Sequence, residues 1–299
     1  MASAEFQNML TMFRAMADQP MVEISVEEQR ARYDSIGSMF PVPEDVAVQE
    51  VTAGGVTCEW ITTAESESER VIFYVHGGGY VIGSIKGYRE FGGRLSRASR
   101  ARVLNVEYRL APEHPHPAAV DDSMAAYRWV LDQGVDPAKI IIAGDSAGGG
   151  LTVATLLALK DAGLPLPACA VCLSPWVDLT QSGESMKTRS ELDPLVSESM
   201  LGQMADHYLP GGNATTTPLA STLFGDLSGL PPLLIQVGTS EVLYDDSVRL
   251  AERVTAAGGK ATLEPWDEMV HIFQLFAPML PEGQQAIERI GEFALQHTK

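Results

Sequence analysis

The residue best placed to act as a nucleophile is Ser146. It lies in Gly144-Asp145-Ser146-Ala147-Gly148, between the apolar, β-branched run Ile140-Ile141-Ile142 and an Ala/Leu-rich segment ending at Lys160. The run reads as a strand buried on both faces and the segment as a helix. Strand, Gly-x-Ser-x-Gly, helix is the context in which the motif marks a nucleophile. The serine then sits at the apex of a sharp, strained turn, and the flanking glycines let strand and helix approach each other. Its hydroxyl stands at the positive end of a helix, where developing negative charge is favoured. Outside that context the motif is weak, because Gly and Ser occur in any loop.

A serine nucleophile needs a base, an acid to orient the base, and donors for the oxyanion. In a parallel α/β sheet such groups gather just past the C-terminal ends of strands, in the chain order Ser, acid, His. The strand-like PLLIQVG ends at Gly238 and is followed by Thr239-Ser240-Glu241, which makes Glu241 the leading acid. Asp245 and Asp246 are the alternatives; they fall about a turn further on and could instead cap the next helix. Asp193 lies in an insertion that no sheet edge would present. The strand-like KATLEPW ends near Trp266, and the loop after it carries His271, alone among the six histidines in the position of a base. His114 and His116 alternate with prolines in a rigid, extended loop and do not form a metal site. VIFYV (71–75) runs into His76-Gly77-Gly78-Gly79-Tyr80. Such a loop lets the main chain approach a substrate, so the amides of Gly77 and Gly78, with that of Ala147, are expected to form an oxyanion hole.

The elements that must position these groups alternate along the chain. The first forty or so residues read as helices, with Phe6, Met9, Leu10, Phe13 and Met16 on one face and a capping box at Ser25-Val26-Glu27-Glu28. They could be a docked helix pair or a lid over an apolar pocket. Residues 45–63 read as a hairpin about Ala53-Gly54-Gly55, and the ESESER that follows as a solvated loop. Apolar strands then alternate with helices near 88–99, 118–132, 245–257 and 281–297, with an irregular, partly helical insertion over about 180–215. This pattern predicts an α/β fold with a mostly parallel sheet and helices on both faces.

Composition narrows the partners. Of 299 residues, 39 are acidic and 21 basic, a formal charge of −18 that argues against nucleic acid or an anionic membrane surface. No apolar segment reaches membrane-spanning length and the N-terminus has no secretory pattern. The three cysteines do not suggest a disulfide framework: Cys169 and Cys172 share one strand and point to opposite faces. They read as core thiols, which fits a reducing, cytoplasmic setting.

HGGGY, YRLAPEHPHPAAVDD (108–122), GDSAGG (144–149) and SPWVDLT (174–180) together resemble the hormone-sensitive-lipase-like (family IV) bacterial carboxylesterases. The resemblance spans roughly residues 70–275. It implies an α/β-hydrolase core (46–179 and 216–299) under a helical cap built from residues 1–45 and the 180–215 insertion. It also implies hydrolysis of small-molecule esters with short-to-medium acyl groups, and no metal or cofactor. The family's triad falls on Ser146, Glu241 and His271. Where the family usually has Asp-Pro-Leu, this sequence has Glu241-Val242-Leu243; the carboxylate is retained on a longer side chain. The resemblance, with one uncovered edge strand (260–266), also implies a homodimer. Amides, carbamates or lactones are alternative substrates for the same triad. A non-catalytic binding protein on this fold would be marked by loss of the histidine, which is present.

Overall fold

Pairing of the apolar segments accounts for the architecture. The computed structural model describes residues 2–17 and 24–299, apart from the side chain of Met16. Among these, eight strands form one sheet: β1 (Ala47–Ala53), β2 (Val56–Thr62), β3 (Glu67–Val75), β4 (Ala101–Val106), β5 (Ile140–Asp145), β6 (Cys169–Leu173), β7 (Leu233–Gly238) and β8 (Ala261–Trp266). Their order is β1-β2-β4-β3-β5-β6-β7-β8. Only β2 opposes its neighbours; the pairs from β4 through β8 are parallel. The β1–β2 turn is Gly54-Gly55, both at positive φ, as a tight two-residue hairpin requires.

Strand side chains alternate between two buried faces. Val71, Phe73 and Val75 of β3 join one core, with Tyr127 of α4 (Ala118–Asp132), Leu151 of α5 (Ala147–Asp161) and Leu250 of α8 (Tyr244–Ala256). Ile72 and Tyr74 join the other, with Phe91 of α3 (Arg89–Ser99) and Ile287 of α9 (Pro281–His297). Both faces of the sheet are therefore covered, which is why the central strands read as unbroken apolar runs. β3 is longer than the sequence suggested. Glu67 of the expected loop pairs with Ala101 of β4, a register shift follows before Val71, and Arg70 is buried with its Nε donating to Thr298 Oγ1 at 2.7 Å. Backbone pairing there outweighs the acidic, Ser-rich composition.

Two segments lie over the C-terminal ends of the strands. The first comprises α1 (Ala4–Ala17) and α2 (Val26–Gly37), the latter started by the full Ser25–Glu28 capping box. Phe6, Met9 and Phe13 of α1 pack on Met269, Val270, Phe273 and Phe276, around the loop that carries His271. The second is the insertion, with short α6 (Ser185–Thr188) and α7 (Glu198–Tyr208). All three cysteines are buried and free, and burial pushes each thiol up to about 12. No helix among the described residues is long and apolar enough to cross a membrane.

Candidate active site

The turn after β5 is as tight as its glycines imply. A Cβ on Gly148 would stand 2.1 Å from the carbonyl oxygen of Val75, so only glycine lets α5 start this close to β3. Ser146 is held at φ 53°, ψ −121°, a conformation that costs a non-glycine residue about 1–3 kcal/mol. The end of β6 and the loop after it over-determine it: Ser146 N donates to Leu173 O (2.8 Å) and Ser146 O accepts from Trp176 N (2.9 Å). The serine precedes α5, whose first residue, Ala147, has an N–H with no partner inside the helix.

Glu241 follows β7 directly and is fully buried. Its Oε2 lies 2.7 Å from His271 Nδ1, while Oε1 accepts from Ser174 Oγ (2.7 Å) and from the Gly238 amide. Ser174 also accepts from Ile272 N at 3.3 Å, so one hydroxyl ties the acid to the base loop. Burial pulls the His271 imidazole down. The hydrogen bond and charge of Glu241, with the charges of Asp193 and Asp145, outweigh this and hold it above its ordinary value. Ser146 and His271 line one cavity of about 480 Å³. Among the described residues no hydrogen bond yet joins the serine hydroxyl to the imidazole; in unliganded sites such contacts are often long and tighten with substrate.

The alternative acids are engaged elsewhere. Asp246 Oδ2 accepts from Val177 N and Asp178 N (2.9 Å each), and burial pushes its carboxyl up to about 7. Asp245 Oδ2 accepts from Ser185 N at 2.9 Å. Both tie segments after β6 to α8. Asp193 is not an isolated insertion residue as its sequence position suggested. It is buried, and its Oδ2 accepts from Val242 N at 3.0 Å, next to Glu241. His76 is stacked on Tyr108 with ring centroids 4.4 Å apart, and burial pulls it down to about 4.

The glycine loop divides its amides. Gly77 was expected to offer its amide to the oxyanion, but that N–H donates to Asp145 Oδ1 (3.0 Å) and Tyr88 Oη (3.2 Å). Gly77 does not line the cavity, whereas Gly78 and Gly79 do. Neither of their N–H groups has a partner among the described residues. Gly78 adopts φ +110°, which favours glycine, and its carbonyl closes the loop by accepting from Val81 N and Ile82 N. Gly79, which lines the cavity, and Ser174, which binds Glu241 and Ile272, were not singled out from the sequence. Ser174 stands immediately past β6, so the strand-end rule that found Glu241 could have found it.

The cavity is roofed by Phe13 of α1, Tyr33 of α2 and Leu195, Met200, Leu201 and Met204 of the insertion. Tyr208 of α7 stacks face to face on Tyr80 of the glycine loop, with centroids 3.7 Å apart. An apolar chamber, a strained serine and a buried imidazole–carboxylate pair make an arrangement suited to acyl transfer.

Known proteins resemble this chain over most of its length. Residues 72–275 match the model of a family described as having the alpha/beta hydrolase fold. The chain belongs to that family, among its hormone-sensitive-lipase-like carboxylic ester hydrolases. It is 47% identical to an acetyl-hydrolase of Streptomyces hygroscopicus over 90% of this chain and 89% of that protein. It is 37% identical to an esterase of Acinetobacter venetianus, over 87% and 86%. A crystal structure of an esterase from the bacterial hormone-sensitive lipase family superposes with a TM-score of 0.96 at 46% identity and covers all of both chains.

Proposed function

We propose that this esterase works through Ser146, His271 and Glu241, with an oxyanion hole formed by the amides of Gly78, Gly79 and Ala147. The observation that carries the reading is the 2.7 Å contact of His271 Nδ1 with buried Glu241, in a cavity that Ser146 also lines. In the reaction His271 Nε2 takes the proton of Ser146 as its oxygen attacks the ester carbonyl. Glu241 fixes the imidazole tautomer and stabilises the imidazolium. The carbonyl oxygen becomes an oxyanion held by the three free amides. The tetrahedral intermediate expels the alcohol, which leaves with the proton from His271. A water, activated by the same imidazole, releases the acid and restores the serine.

A chamber of about 480 Å³ with apolar walls suits a short or medium acyl group, and the name of the Streptomyces relative supports the short end. We assign the cap role to residues 1–45 and 180–215; Phe13, Tyr33, Leu195, Met200, Leu201 and Met204 among them supply the roof. Three buried free thiols support a reducing compartment, and β8, the last strand of the sheet, is the edge through which a homodimer would pair. The test is hydrolysis of p-nitrophenyl esters from acetate to laurate. Turnover is expected to peak at short chains and to vanish in Ser146→Ala. A folded wild type that hydrolyses none of them, or a Ser146→Ala variant that keeps its rate, would overturn the reading.

A further inference from the structure

Several phenols take no part in the chemistry proposed above, and three of them, buried Tyr74 and Tyr88 and half-buried Tyr33, converge on Asp145, the residue before the nucleophile. Tyr74 Oη donates to Asp145 Oδ1 at 2.7 Å, Tyr88 Oη donates to Oδ2 at 2.8 Å, and Tyr33 Oη lies 2.9 Å from Tyr88 Oη. A carboxylate only accepts, and a phenol has one proton. Tyr88 gives its proton to Asp145, so Tyr33 must be the donor to Tyr88. The Tyr88 oxygen then accepts from both Tyr33 O–H and Gly77 N–H, and Gly77 N–H is held between Tyr88 and Asp145. Burial, first, and the charge of Asp145 raise all three phenols above their ordinary value, which keeps them protonated donors.

Tyr33 is the member of this chain that comes from the covering layer. Other groups of α2 dock further along: Arg30 donates to Val81 O and, in the loop after β4, to Ala111 O (2.9 Å each), and Asp34 accepts from Ser84 Oγ (3.0 Å). These dock the helix, but among the described residues only Tyr33 connects it to the amide that precedes the two free ones. We propose that Tyr33 is a positioning residue of the reaction. Its hydroxyl orders Tyr88 and Asp145, which clamp the Gly77 amide and so aim the N–H groups of Gly78 and Gly79. The covering helix thereby helps build the oxyanion hole as well as roofing the cavity. This rests on the oxyanion assignment above.

The experiment measures p-nitrophenyl butyrate hydrolysis by wild type, Ser146→Ala, Tyr33→Phe, Tyr88→Phe and the double variant, with the thermal midpoint of each. It also measures inhibition by an alkyl trifluoromethyl ketone, which takes up Ser146 Oγ at its carbonyl carbon and leaves an oxyanion in the hole. Tyr33→Phe should lower kcat about 10-fold, a fraction of what losing a whole donor costs. KM should stay within twofold, and the ketone should bind weaker by the same factor as the loss in kcat. In the Tyr88→Phe background the Tyr33 substitution should add less than twofold. Unchanged kcat, a rise in KM alone, a fall in kcat with ketone affinity intact, or effects that multiply would each overturn the proposal. If the double variant does not fold, the ketone result for Tyr33→Phe decides. Wild type that turns over no ester would overturn the functional reading and this inference together. Turnover lost in Ser146→Ala leaves the reading standing whatever Tyr33→Phe shows.

Discussion

The strand-end loops and the layer above them are built to opposite specifications. Ser146, Glu241 and His271 are buried, and Glu241 and the backbone of Ser146 are hydrogen-bonded from several directions, so even a strained serine has one conformation. The roof carries two methionines, Met200 and Met204, and is partly exposed: Met200 is 36% exposed and Ile36 44%. Flexible, apolar side chains adapt to what they cover. The difference assigns the two tasks of an esterase to two regions. We propose that bond making belongs to the sheet edge, with Tyr33 of α2 helping to position its donors, and that the rest of the roof sets the size of the accepted acyl group.

Substitutions can break or sharpen this division. Ser146→Ala should lower kcat by at least about 10⁴-fold with the fold intact, as seen in the thermal midpoint. Glu241→Gln should lower kcat by about 10³–10⁴-fold, since a neutral amide favours the wrong imidazole tautomer. The same variant has a pH signature. His271 acts only when neutral, and its raised pKa keeps it protonated to higher pH, so the acid limb of kcat/KM in the wild type lies above that of an ordinary imidazole. Removing the Glu241 charge lowers that pKa and moves the acid limb of the residual activity to lower pH. At the roof, Met200→Trp should shift the kcat/KM ratio of butyrate over octanoate by about 10-fold toward the shorter ester. A change of that size in the rate with acetate would instead mean that the Met200 wall and the chemistry are not separable. Smallest is Ser25→Ala, which removes a capping box and should cost about 1 kcal/mol in denaturant unfolding.

The legible parts of the molecule share one property: their signal is local in the chain. The turn at Ser146, the strand-end positions of Glu241 and His271, the Gly54-Gly55 hairpin and the Ser25 cap each depend on residues a few places apart. What stayed hidden depends on distant partners. Gly77 could not be told from Gly78 as a donor, because Asp145, which takes its amide, lies 68 residues away. Asp193 looked remote from the acid because its partner, Val242, is 49 residues on. The polar start of β3 looked like a loop, since backbone pairing with β4 leaves no mark on side-chain pattern.

The most direct test of the central claim is covalent labelling. Wild type, Ser146→Ala and Glu241→Gln are treated with diethyl p-nitrophenyl phosphate, and the site is located by peptide mass mapping while ester turnover is followed. One adduct per chain, on Ser146, should form in step with loss of turnover, be absent from Ser146→Ala, and form about 10³-fold more slowly in Glu241→Gln. An adduct on another residue, or continued turnover with Ser146 fully labelled, would contradict the account.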